Sequence, residues 1–147
     1  LHFTSFEAFP MTALEMARAL SAFPELTELA GPLVDQWAVK TQLIQYAPNI
    51  TLEVVLGDAR QTLPNWTSKA DAWYLDGFSP AKNPELWTLE LMQAVADHTT
   101  ATGTAATYTA AGFVRRGLRD AGFQVERIAG YGRKRHMTVA KFEAASE

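Results

Sequence analysis

Three strand-like runs in this chain each stop at a carboxylate: T-S-F before Glu7, V-V-L-G before Asp58 and W-Y-L before Asp76. Strands of this kind separated by helical segments imply βαβ units, and hence a mostly parallel sheet of the doubly wound α/β class. In such a sheet the carboxyl ends of the strands lie along one edge, where ligands bind, so three carboxylates are expected to converge on one crevice. The clearest strand is Thr51 to Leu56 (T-L-E-V-V-L), ended by Gly57 and Asp58. Leu1 to Phe6, Ala72 to Leu75 and the small-residue run Gly103 to Thr109 complete the parallel set. Phe123 to Ile128 and His136 to Phe142 read as a closing antiparallel hairpin.

Between the strands, Leu14, Ala17, Leu20, Leu26, Leu29 and Leu33 recur at helical spacing, with interruptions expected at Pro24 and at Gly31-Pro32. A helix is expected over Glu85 to His98, opened by Pro84, with Leu86, Leu89, Met92, Val95 and Ala96 on one face. Another runs through Arg119 and stops near Gly122. A length of 147 residues fits one domain over 1–147, able to bury a core. The absence of cysteine excludes a disulfide framework and thiol catalysis. No apolar run reaches the length of a bilayer crossing and no leader precedes the first strand, so the expected setting is cytoplasmic, with no membrane partner.

Charge is unevenly placed. Residues 1–110 hold 5 Lys/Arg against 12 Asp/Glu, whereas residues 111–147 hold 8 against 4. A basic end on an acidic body suits a polyanionic partner met at one place, or a solvated surface with no partner. The basic residues concentrate in Arg133, Lys134 and Arg135, in the Gly-flanked loop of the closing hairpin, where they are placed to meet phosphates. Arg115, Arg116 and Arg119 share one helix, and their stems can equally cover apolar surface.

The segment Asp71 to Pro84, D-A-W-Y-L-D-G-F-S-P-A-K-N-P, is the richest in chemistry. Gly77 permits a tight or positive-φ turn, and Pro80 and Pro84 stiffen the chain beyond it, fixing the Asp76 carboxylate beside the Phe78 face. That pairing suits an amine, which a carboxylate can orient or deprotonate and an aromatic face can shelter as a cationic centre; the other reading is an ordinary turn with a capping Asp. Glu7 suits a ribose diol, because a carboxylate accepts two hydrogen bonds from vicinal hydroxyls, or reads as a cap for the helix that follows, the commoner use of a lone acid at a strand end. Asp58 reads as a helix cap, as a partner for an adenine amino group, or as both. His2, His98 and His136 have no metal-ligand spacing, and no metal site is expected. No G-x-G-x-x-G, P-loop, G-x-S-x-G or H-E-x-x-H is present.

The blocks D-A-W-Y-L-D-G-F-S-P-A-K-N-P-E-L-W, T-A-A-G-F-V-R-R-G-L and G-Y-G-R-K-R-H-M, with the opening F-T-S-F-E-A-F-P, resemble one family. It is the methyltransferase domain of the bacterial tRNA 5-methylaminomethyl-2-thiouridine biosynthesis bifunctional proteins. The resemblance implies a Rossmann-like fold and methyl transfer from S-adenosyl-L-methionine to the aminomethyl nitrogen of a modified wobble uridine in tRNA. By that resemblance Glu7 holds the cofactor ribose, Asp58 the adenine region, and Asp76 with Phe78 the methyl-transfer site. Lys82, Asn83 and the run Arg133, Lys134, Arg135 would face the tRNA. The family's first strand and glycine-rich cofactor turn are expected upstream of Leu1. A fused flavin-dependent oxidase, and with it FAD, is implied only where that second domain is present. Two readings from other classes stay open: a nucleic-acid-binding module without catalysis, and another nucleotide-dependent α/β enzyme such as a dehydrogenase.

Overall fold

The computed structural model describes residues 1–38 and 42–143, which form two compact units divided between Thr62 and Leu63. The first unit contains β1 (His2–Glu7), α1 (Ala13–Leu20), α2 (Thr27–Ala38), β2 (Leu43–Ala47), β3 (Ile50–Leu56) and α3 (Ala59–Thr62). Its sheet has the order β1-β3-β2. β1 runs parallel to β3 with Glu7 beside Leu56, and β2 runs antiparallel to β3.

Local chemistry explains most of these boundaries. Thr12 caps α1 reciprocally with Glu15: the Glu15 amide donates to Thr12 Oγ1 at 3.3 Å, and the Thr12 amide donates to the Glu15 carboxylate at 2.8 Å. The break expected at Gly31-Pro32 does not occur, and α2 continues through Pro32. The residue before a proline normally clashes with the pyrrolidine ring through its Cβ; Gly31 has none, so the helix loses one hydrogen bond instead of ending. β2 lies where no strand was expected. Its signal was Pro48-Asn49, a turn pair between two runs rich in β-formers. Tyr46 on β2 donates from its hydroxyl to the Leu29 carbonyl at 2.9 Å, and the Trp37 indole donates to the Met11 carbonyl at 2.8 Å, tying α2 to both flanks.

The second unit contains β4 (Ala70–Tyr74), α4 (Leu89–Asp97), β5 (Thr99–Thr107), α5 (Gly112–Asp120), β6 (Phe123–Ala129) and β7 (His136–Phe142). Its sheet order is β4-β5-β7-β6, with β4 and β5 parallel and the other two pairs antiparallel. The expected hairpin is therefore present, but β7 and not β6 sits against β5. Among the described residues, parallel pairing is confined to β1 with β3 and β4 with β5, so antiparallel pairs are more prominent than the strand-end pattern implied.

The helix expected over Glu85 to His98 divides. Pro84–Trp87 is a 3₁₀ turn, and α4 starts after Thr88, whose hydroxyl accepts from the Leu91 amide at 3.4 Å. Met92, Val114 and Leu118 are each at most 1% exposed and lie where α4 meets α5; Val95 on α4 and Trp87 just before it are buried as well. Gly117 faces Met92 across this contact: a Cβ there would lie 3.4 Å from the Met92 side chain. Each such aliphatic side chain contributes roughly 1.5–3 kcal/mol on burial. No helix among the described residues is long and apolar enough to cross a membrane.

Candidate functional site

Glu7 and Asp58 belong to the first unit. Their strands are adjacent and parallel, and the Gly57 amide donates to the Glu7 carbonyl at 2.9 Å, so the two acids leave neighbouring strands at the same edge. Gly57 has φ +126°, a conformation that side-chain-bearing residues rarely adopt, and this turns the chain from β3 into α3. Glu7 is half-buried, and its Oε1 accepts from Ser5 Oγ at 3.4 Å. Among the described residues its other oxygen has no protein partner, leaving acceptor capacity for a vicinal diol.

Asp58 is more heavily engaged. Its Oδ1 accepts from the Arg60 amide at 2.9 Å and from Arg60 Nε at 3.0 Å, while Oδ2 accepts from Nε and from the terminal guanidinium nitrogen. Asp58 thus caps α3 and holds Arg60 at once, using the sites through which a carboxylate accepts. The guanidinium hydrogen bonds, and then the amide bond, hold the Asp58 carboxyl below its ordinary value. A depressed carboxyl contributes stability that is complete above the unfolded value of about 3.9 and is lost as pH falls through the folded value. Arg60→Ala is expected to move the Asp58 carboxyl titration upward, followed by carboxyl-carbon NMR, and to reduce the stability lost on acidification. An unmoved titration would assign the shift to the cap alone.

Asp76, Phe78, Lys82, Asn83, Arg133, Lys134 and Arg135 all belong to the second unit. The loop after β4 is held by its backbone and leaves the side chains of Asp76 and Phe78 outside. The Leu75 amide donates to the Ala106 carbonyl at 2.9 Å, extending β4 toward the loop. The Trp87 indole, 3% exposed, donates to the Phe78 carbonyl at 2.9 Å. The Tyr108 hydroxyl donates to the Gly77 carbonyl at 3.0 Å. The amides of Lys82 and Asn83 donate to the Ser79 carbonyl at 2.8 and 3.0 Å, closing the turn. Gly77 does not take a positive φ; that geometry falls at Gly57, Gly122 and Gly132. Its bare Cα faces Leu86 and Trp87, either of which would lie 3.5 Å from a Cβ.

The result is a fixed backbone carrying an exposed Asp76 carboxylate, with no protein partner among the described residues, and a Phe78 ring 72% exposed. Lys82 is exposed and Asn83 half-buried on the same turn. The β6–β7 loop is brought to this region through Tyr108: the Lys134 ammonium lies 5.3 Å from the Tyr108 ring centroid, on the residue whose hydroxyl holds Gly77. Thr138 adds a second tie, donating from its buried hydroxyl to the Thr109 carbonyl at 2.7 Å. The loop carrying Asp76 and the basic run, far apart in sequence, are therefore linked within one unit.

Other cations are spent on structure. Arg115 donates to the Ala110 carbonyl and Arg119 to the Val125 carbonyl, each at 3.4 Å. The His98 ring nitrogens lie 2.8 Å from the Ala94 carbonyl oxygen and 2.6 Å from that of Trp66. Tyr108 and Trp87 were not singled out by sequence reasoning. A bulky aromatic closing the small-residue run G-T-A-A-T was the available signal for Tyr108; Trp87 fell inside the expected helix but off the face read as apolar.

Residues 24–143 match the family model described as S-adenosyl-L-methionine-dependent methyltransferase. The chain is 45% identical over 149 residues to the tRNA 5-methylaminomethyl-2-thiouridine biosynthesis bifunctional protein MnmC of Aeromonas hydrophila subsp. hydrophila, covering 96% of this chain and 22% of that protein. It is 43% identical over 148 residues to the protein of the same name from Ectopseudomonas mendocina, covering 98% of this chain and 22% of that protein. The chain thus spans 22% of the length of these curated relatives. MNMC2 from Aquifex aeolicus has a similar structure, with TM-score 0.65 at 27% identity over 97% of this chain and 54% of that one. A methyltransferase from Pyrococcus furiosus, at 15% identity and TM-score 0.50 over 96% of this chain and 75% of that one, shares the fold. The α/β class expected from the strand and helix pattern, and the Rossmann-like fold that the resemblance implies, are the class observed.

Proposed function

The chain belongs to the S-adenosyl-L-methionine-dependent methyltransferase family, and from that premise we propose that it methylates the aminomethyl nitrogen of 5-aminomethyl-2-thiouridine at the wobble position of tRNA. The observation that carries this reading is the loop after β4, where Tyr108 and Trp87 bind the carbonyls of Gly77 and Phe78 and leave the Asp76 and Phe78 side chains exposed. The names of the curated relatives support tRNA as the substrate class.

When bound, S-adenosyl-L-methionine supplies an electrophilic methyl group on a sulfonium. Asp76 accepts a hydrogen bond from the substrate amine at a carboxylate oxygen, directs its lone pair, and is placed to take its proton. Phe78 shelters the cationic centre with its ring face and excludes water from that side. Glu7 holds the ribose hydroxyls through its uncommitted oxygen. Asp58 serves the adenine side only if Arg60 yields one of its acceptor positions, so its contribution is a cap first and a ligand second. Lys82, Asn83, Arg133 and Arg135 belong to the tRNA side of the same proposal. FAD enters only where the parent protein carries a separate flavin-dependent oxidase domain; a cytoplasmic setting among tRNAs is part of the proposal too.

The test is transfer of labelled methyl from the cofactor to tRNA that carries the unmethylated aminomethyl group. Label confined to that tRNA supports the reading; label on tRNA lacking the group, or none on either, rejects the substrate. Glu7→Ala isolates the cofactor side. Losing two hydrogen bonds to a charged acceptor, each worth about 1.5–3 kcal/mol, should weaken calorimetric binding of S-adenosyl-L-methionine by about 10²-fold or more. Unchanged affinity would remove Glu7 from the site.

A further inference from the structure

Tyr131 is 93% exposed at the tip of the β6–β7 loop, the most exposed large hydrophobic residue among those described. An aromatic side chain left almost wholly in water forgoes the burial that usually places it. The loop beneath it is nevertheless tightly defined. The Gly130 amide donates to the Arg135 carbonyl at 3.2 Å and the Lys134 amide to the Tyr131 carbonyl at 3.1 Å. Gly132 has φ +61°, and any Cβ at Gly130 would collide with the Lys134 backbone, so both glycines are required by the turn. The base of the loop is the ladder pair Ala129 and His136. Tyr131 is thus held outward by the loop and not merely left uncovered.

Its neighbours divide by task. Lys134 folds back over Tyr108, acting as a strut to the loop that carries Asp76. Arg133 and Arg135 are exposed and, among the described residues, have no protein partner. We propose that Tyr131 is a base-stacking residue for an unpaired nucleotide of an RNA loop, with Arg133 and Arg135 on the flanking phosphates and Lys134 holding the device to the Asp76 loop. This inference rests on the tRNA reading above and extends it to a residue and a binding mode.

An RNA loop fits better than a duplex, because paired bases are already stacked and present no free face, whereas unpaired bases stack on exposed aromatic side chains. RNA also carries a phosphate beside every stacked base, which matches an aromatic flanked by Arg133 and Arg135. The excess of Lys and Arg over residues 111–147 supplies the matching charge.

The test compares binding of the protein to an RNA hairpin with an unpaired loop and to a fully paired duplex of the same composition, at several salt concentrations. Stacking on one base predicts that Tyr131→Ala weakens hairpin binding by about five- to 150-fold, leaves duplex binding unchanged, and keeps the salt slope. Tyr131→Phe should bind as the parent does. Arg133→Ala should lower the slope of log affinity against log salt by about 0.7. The thermal midpoint of each variant should be unchanged, because these side chains are exposed. Three results would each overturn the inference while leaving the tRNA reading standing: Tyr131→Ala binding the hairpin like the parent, Tyr131→Ala losing both RNAs equally, or Tyr131→Phe losing as much as Tyr131→Ala. Failure of the unsubstituted protein to bind either RNA would overturn both.

Discussion

Asp76→Asn is expected to lower methyl transfer by about 10²- to 10⁴-fold, the usual contribution of a positioned proton acceptor, while tRNA binding and stability stay close to the parent's. The separation follows from the site. Asp76 is exposed and supports no structural hydrogen bond among the described residues, so the substitution falls among surface changes worth within about 0.5 kcal/mol. Asparagine keeps the shape of the side chain but removes its charge and its capacity to take a proton. Labelled methyl transfer, denaturant unfolding and tRNA binding, measured together, distinguish the outcomes. Unchanged transfer would remove Asp76 from the chemistry, whereas tRNA binding with no transfer by the unsubstituted protein would favour a binding module without catalysis. Concurrent loss of tRNA binding and stability would assign the residue to the fold.

Trp87→Ala should have the largest effect on stability, about 3–5 kcal/mol, because it empties a site that is 3% exposed and deletes a large aromatic volume. It also frees the Phe78 carbonyl from its 2.9 Å indole donor, so the loop carrying Asp76 and Phe78 loses one of its two backbone anchors. Trp87→Phe separates these effects. It keeps most of the packing and deletes the hydrogen bond, at a cost of about 1–3 kcal/mol for the unsatisfied partner. If the anchor positions the reacting groups, this milder variant still loses activity, on the order of 10²-fold for a displacement near 1 Å. Full activity in a folded Trp87→Phe protein would show that Tyr108 alone orders the loop. The comparison reads positioning separately from packing because transfer rate and unfolding free energy need not fall in proportion.

Several elements were legible because their causes are local. T-L-E-V-V-L forms β3, and the final two strands form a hairpin where their apolar runs predicted it. α5 ends at Asp120 just before Gly122, whose φ of +97° suits only a residue without a side chain. Glu7 and Asp58 share one strand edge because parallel neighbours bring their carboxyl ends together. Pro32 misled because a proline inside a helical pattern ordinarily ends it, whereas Gly31 removed the clash that forces the end. Leu43–Ala47 was overlooked because five residues give too little periodicity to separate a strand from the helix before it.

The residue types at the site, an acid and an aromatic on a proline-stiffened turn after a strand, were written into D-G-F-S-P. Which of their atoms are occupied was not. That Asp58 spends its oxygens on Arg60, that Tyr108 and Trp87 grip the carbonyls beside Asp76 and Phe78, and that Lys134 leaves the basic run to rest on Tyr108 are results of folding. Periodicity and turn chemistry depend on residues within a few positions of one another, and so survive in a linear text. A hydrogen bond between Tyr108 and Gly77, 31 positions apart, exists only after β4 and β5 have paired and set the ends of their loops side by side.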